Sequence, residues 1–146
     1  MKKLVIMMFA ALMLLSGCSK SSSSTGSAVS GGNQNTNPIV GTWSKPAYSY
    51  QNMMRRDEVW YFMNENTATK LGTCYDQPYT FYFNGSPIFS IETPVPTKSG
   101  WYHKGDNVIL TYLYEDNKVG LTDGTIFTYM DGKLYKDNSN ILLEKW

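Results

Sequence analysis

Turn signals recur at short intervals along the C-terminal three quarters of this chain, and they constrain its fold more than any other feature. They are Asn64-Glu65-Asn66, Asn84-Gly85-Ser86-Pro87, Lys104-Gly105-Asp106-Asn107, Glu115-Asp116-Asn117, Asp123-Gly124, Asp131-Gly132 and Asp137-Asn138-Ser139-Asn140. Each supplies residues that accept positive φ or form local side-chain turns. The runs between them read as strands: 39–45, 57–63, 67–73, 79–83, 87–93, 100–104, 108–114, 118–122, 125–130, 133–136 and 141–146. All 11 tyrosines, all four tryptophans and five of the six phenylalanines lie after residue 38. Aromatic and β-branched residues suit a pleated, half-buried surface. The expectation is an all-β, antiparallel up-and-down β-barrel of about 8–10 strands.

Alternation assigns faces. Tyr79, Phe81 and Phe83 oppose Thr80 and Tyr82. Trp60 and Phe62 oppose Val59, Tyr61 and Met63, and Val108, Leu110, Tyr112 and Tyr114 oppose Ile109, Thr111 and Leu113. Both faces of the last two runs carry apolar mass. With no helix to cover a second layer, the expectation is tyrosines on the outside of the barrel, hydroxyls in water.

The N-terminus carries an address. Lys2 and Lys3 precede an apolar run, Leu4 to Leu15, which is followed by Ser16-Gly17-Cys18. A basic start, a short apolar core and small residues describe a secretory signal peptide. The run is shorter than the roughly 20 residues a membrane-spanning helix needs. Leu15-Ser16-Gly17-Cys18 resembles the lipobox of bacterial lipoproteins. The resemblance implies removal of 1–17 and lipidation of Cys18 with a diacylglycerol and an N-acyl chain. At about 0.8 kcal/mol per buried CH₂, two or three chains on one cysteine hold a protein on a membrane durably.

Ser19 to Asn37 contains mainly Ser, Gly, Asn, Thr and Gln, with Lys20 as its one charge. Such a segment buries too little surface to offset its ordering entropy, so 18–37 is expected to be a lipidated, disordered tether. Its mean reach is roughly 25 Å. Ser19 rather than Asp follows the cysteine, which in lipoprotein sorting implies the outer membrane. The absence of an acidic cluster there favours the periplasmic face over the cell surface.

The remaining residues, 38–146, form one domain of ordinary size. Removing Lys2, Lys3 and Lys20 from the 13 basic residues leaves ten against 12 acidic ones, a net −2. No basic stripe supports nucleic-acid binding. Cys74 is the domain's lone cysteine, cannot form an internal disulfide, and reads as a small buried apolar residue.

The domain opens with Ile39-Val40-Gly41-Thr42-Trp43 and continues through Trp60-x-Phe62, Gly100-Trp101-Tyr102, Gly105-Asp106-Asn107-Val108-Ile109-Leu110, Asp131-Gly132-Lys133-Leu134 and Glu144-Lys145-Trp146. This order resembles the small lipocalin-like domains of bacterial lipoproteins. The resemblance implies that Trp43 packs across the closed end of the barrel, with Lys145 lying over it. The Thr-Asp-Tyr motif, a C-terminal helix and paired cysteines of that family are not present.

Catalytic arrangements are missing. His103, the only histidine, reads as an exposed or edge residue beside a turn. No nucleophile-elbow serine occurs. Asp57 and Glu58 are adjacent on a strand, point to opposite faces and so serve no common substrate. Glu115-Asp116-Asn117 reads as a solvated hairpin rather than a metal site. No metal and no cofactor are expected, and the chain is not expected to be an enzyme.

One segment is unusual. Residues 46–56 hold Tyr48, Tyr50, Met53, Met54, Arg55 and Arg56 and look too long for a tight hairpin. They are expected to form a loop with a helical turn, folded over one end of the barrel as candidate ligand-binding residues, the arginines at its rim. Ile91 to Thr97, stiffened by Pro94 and Pro96, is a second candidate rim. Trp43, Trp60, Phe62 and Phe81 are the expected core. The functional expectation is an anchored envelope protein whose barrel binds a small apolar ligand. The alternative is a protein-interaction module, an inhibitor or assembly partner, acting through loops and outer tyrosines.

Overall fold

The computed structural model describes residues 37–146. The signal sequence, Cys18 and nearly all of the tether lie outside the described residues.

Thirteen antiparallel strands are present: β1 (Gly41–Ser44), β2 (Tyr48–Tyr50), β3 (Met53–Phe62), β4 (Thr67–Tyr75), β5 (Tyr79–Phe83), β6 (Ser86–Ile91), β7 (Thr93–Pro94), β8 (Tyr102–His103), β9 (Val108–Glu115), β10 (Lys118–Leu121), β11 (Ile126–Met130), β12 (Lys133–Lys136) and β13 (Leu142–Lys145). Eight of them, β3-β1-β13-β12-β11-β10-β9-β4, form a ring closed by the β3–β4 pairing. Residues 37–146 are thus all-β, with a closed, eight-stranded antiparallel barrel. Asn84-Gly85, Asp116-Asn117 and Asp131-Gly132 each place both residues at positive φ, the backbone that tight hairpins between right-twisted strands require.

Aromatic rings fill the barrel. Trp43, Trp60, Phe62, Tyr112 and Phe127 are all buried in one cluster with Ile39, Val119, Leu134 and Leu143. Phe62 meets Tyr112 edge-on at 5.1 Å, and Trp60 meets Phe127 at 5.5 Å. Tyr112 therefore points inward, its hydroxyl donating to the Met63 carbonyl (2.8 Å). The outer face of β9 shows Ile109 and Leu113 to solvent, 69% and 46% exposed. This corrects the expectation of outward tyrosines on that strand. Alternation alone could not choose between two apolar faces, and the larger rings took the interior.

One end of the barrel, where the chain comes in, is locked by residues far apart in sequence. Trp43 Nε1 donates to the Ile39 carbonyl at 2.7 Å. Lys145 Nζ donates to the Pro38 carbonyl at 3.1 Å and lies 5.5 Å from the Trp43 ring centroid. Gly41 has φ +129, and a Cβ there would stand 3.0 Å from Lys145 Cε. The glycine before Trp43 is thus required twice, by its backbone and by the lysine stem crossing it.

At the other end the sheet overruns the barrel. The first half of β3 and the last part of β4 continue beyond it, flanked by β2 on one side and by β8 and β7 on the other. The overrun starts at a β-bulge between Arg56 and Val59, with Glu58 at φ 52. Bulges bend a strand and sharpen its twist. The outer face of β3 and β4 is also covered. Residues 95–101 cross it, setting Val95 and Trp101, with Trp146, against Val59 and Leu71. The Pro94-Val95-Pro96 segment is therefore a strap on the wall, not a rim, and it provides a second layer that no helix among the described residues supplies.

Candidate functional site

Residues 46–56 are not a loop and contain no helical turn. Tyr48-Ser49-Tyr50 pairs with Met53-Met54-Arg55 across Gln51-Asn52, both at positive φ. The segment is a hairpin with a two-residue turn, belonging to the overrun. Its six candidate residues separate. Met53 is buried against Tyr75 and Ile91, whereas Tyr48 (41%) and Met54 (38%) are exposed. Tyr50 is half-buried beside Tyr75.

Arg55 and Arg56, expected together at a rim, leave the strand on opposite faces. Arg55 sits among three tyrosine rings, 5.7, 5.0 and 5.7 Å from the centroids of Tyr48, Tyr50 and Tyr75. Its Nε donates to Asp57 Oδ1 at 2.8 Å. The other Asp57 oxygen accepts from the Tyr48 hydroxyl at 2.8 Å, and Thr73 Oγ1 donates to Oδ1 at 3.1 Å. Burial pushes the Asp57 carboxyl up, but the hydrogen bonds from Arg55, Tyr48 and Thr73 outweigh it and hold the pKa below the usual range. Arg56 instead packs over Trp146 (4.8 Å) and Trp101 (5.9 Å) and donates to Ser44 Oγ at 2.8 Å. The Trp101 contact joins β3 to the strap.

A half-open groove of about 540 Å³ lies beside the overrun, and none of its lining residues belongs to the buried cluster that fills the barrel. Tyr50, Arg55 and Tyr75 form one wall, and Phe81, Phe89 and Ile91 of the β5–β6 hairpin form the other. Lys104 and Asp106 stand at its edge, ion-paired at 2.6 Å. Its floor includes Gly72, at φ +76, where an added Cβ would meet nothing within 4 Å. Phe81, expected in the core, is a half-buried groove wall stacked on Phe89 at 4.6 Å. Of the six first-loop candidates, Tyr50 and Arg55 line this groove. Sequence reasoning missed Tyr75, Phe89 and Lys104. The charge-free aromatic run 79–91 was the available signal.

His103 is fully buried, not exposed, because β8 lies between β4 and β7. Its Nδ1 accepts from the Gly105 amide at 3.0 Å. Burial lowers its pKa, against the pull of Asp106. Cys74 is also fully buried, and burial pushes its thiol up to about 12. Asp57 and Glu58 diverge as expected. Glu58 Oε2 lies 4.0 Å from Lys136 Nζ, away from the Arg55 cluster. Among the described residues, no group of three or more His, Cys, Asp or Glu side chains converges to hold a metal ion. Among the same residues, no helix is long and apolar enough to cross a membrane.

Comparison with protein-family models, with curated proteins and with solved structures gives no match.

Proposed function

We propose that the chain is a lipid-anchored envelope protein, akin to small lipocalin-like lipoprotein domains, that binds a small apolar or aromatic ligand in the lateral groove. The anchor is Cys18, and the outer membrane, on its periplasmic face, is the location. The observation that carries the binding reading is the contrast between a ring-filled barrel and an aromatic-walled groove of about 540 Å³ beside it. That volume falls within the range of small-molecule sites. Arg55 is ion-paired and Lys104 is neutralised by Asp106, so the groove offers flat apolar walls with a polar edge rather than a free charge.

The test uses N-phenyl-1-naphthylamine, a neutral apolar fluorophore. Phe89→Ala removes one wall and should weaken its binding about tenfold, about 1.4 kcal/mol, with an unchanged circular dichroism spectrum. Phe127→Leu, inside the barrel, should leave binding unchanged. If Phe89→Ala binds as the parent does, the groove is not the site. The anchor is tested separately: Cys18→Ala should abolish labelling with radioactive palmitate, and unchanged labelling removes the lipoprotein reading.

A second reading, a protein-interaction module, is favoured by one observation. Tyr82, Phe83 and Ile88 on the β5–β6 hairpin are 62%, 68% and 60% exposed.

A further inference from the structure

The β5–β6 hairpin stands apart as its own two-stranded sheet, so among the described residues both of its outer edges are unpaired. Unpaired edges are templates for another strand, and proteins guard them with charges, prolines and bulges. Here the guards are unevenly distributed. Pro87 lies on β6, and so does the register shift that leaves Ile88 without a partner. β5 has neither. Its residues, Tyr79-Thr80-Phe81-Tyr82-Phe83, form an unbroken ladder strand with no charge, and no charged residue occurs anywhere from 77 to 91.

We infer that β5 pairs antiparallel with β5 of a second copy of this chain, about a two-fold axis at Phe81. Thr80 then faces Tyr82 of the second copy, and Tyr79 faces Phe83. The strand suits itself: every cross-pair is aromatic with aromatic or aromatic with threonine, and such pairs stabilise sheets. A charged partner strand would gain nothing, because this run carries no charge to meet it. Exposure supports the same occupant: on β5 itself Tyr79, Tyr82 and Phe83 are 40%, 62% and 68% exposed, so pairing there takes aromatic surface out of water. The inference does not depend on ligand binding or on the anchor.

The test is oxidative cross-linking of the full chain in the preparation in which it is expressed, read by non-reducing electrophoresis. Thr80→Cys with Tyr82→Cys should give a disulfide-linked dimer. The parent chain, Thr80→Cys alone and Leu113→Cys, on the outer face of β9, should remain at least tenfold less cross-linked. Tyr82→Lys places a charge in the paired strand at an exposed position. It should convert a dimer to a monomer in light scattering, with an unchanged circular dichroism spectrum. A monomer at every concentration overturns the inference. So does equal cross-linking through Leu113→Cys, capture of a different protein by the double variant, or labelling of the hairpin by a bilayer-restricted photoprobe.

Discussion

The barrel and its overrun are made of the same residue types but use them differently. In the barrel, five aromatic rings are turned into a closed interior: Trp60, Phe62, Tyr112 and Phe127 meet one another at edge or face, and Trp43 meets Tyr129 edge-on. In the overrun and the adjoining hairpin, aromatic rings line a groove and project into solvent. The two regions share β3 and β4, and the bulge at Glu58 divides them. The difference teaches that aromatic content does not decide function here; closure does. Where the ring of strands closes, aromatic mass becomes stability. Where the sheet runs past closure, the same mass becomes available surface.

The sharpest test of that contrast is Trp43→Ala, expected to cost about 3–5 kcal/mol in denaturant unfolding. A loss below about 1 kcal/mol would mean that the barrel does not depend on its ring-filled interior. Gly41→Ala comes next, at about 1–3 kcal/mol, because it strains the backbone and displaces the Lys145 stem. Arg55→Ala, in the overrun, should cost about 1–2 kcal/mol by removing one of three donors to a partly buried carboxylate. Phe83→Ser, on the hairpin, should stay within about 0.5 kcal/mol.

The pH response follows from His103 and Asp57. Both folded pKa values lie below the ordinary ones, so the unfolded chain binds more protons and stability falls as pH falls. The His103 contribution begins to go as pH drops below about 6.5, the ordinary imidazole value, and is gone below its folded value. The Asp57 contribution starts to go below about 3.8. Unfolding midpoints measured from pH 8 to 3 should decline in both windows, and Asp57→Asn should shrink the lower one, to which Asp137, held low by hydrogen bonds from Lys118 and Thr128, also contributes. Cys74 should resist iodoacetamide at pH 8 in the folded protein and react on unfolding.

Most of the barrel was legible because its hairpins carry dipeptides whose chemistry is local. Asp116-Asn117 and Asp131-Gly132 announce positive φ without any tertiary information. Gln51-Asn52 does not, since glutamine seldom takes that backbone, and β2 with the start of β3 therefore reads as a loop in the sequence. Strand faces were legible where one side was polar and ambiguous at β9, where both were apolar. The Arg55–Asp57 pair is two residues apart on one strand and so readable in principle. Tyr48 and Thr73 reach the same carboxylate only because β2 and β4 flank β3. The groove was not legible, because it joins four separate stretches of chain through a bulge that no residue type signals.

The lock at the barrel's first end also bears on mechanical load. Any pull transmitted through the residues before Asn37 reaches β1 after Pro38, whose carbonyl is held by Lys145. β1 lies between β3 and β13 and is hydrogen-bonded to both. Antiparallel ladder bonds lie perpendicular to the strands, so a pull along β1 loads them together in shear instead of unzipping them one by one. The strand nearest the N-terminus is thus the one seated to bear traction, and the hairpin at the opposite end carries none of it.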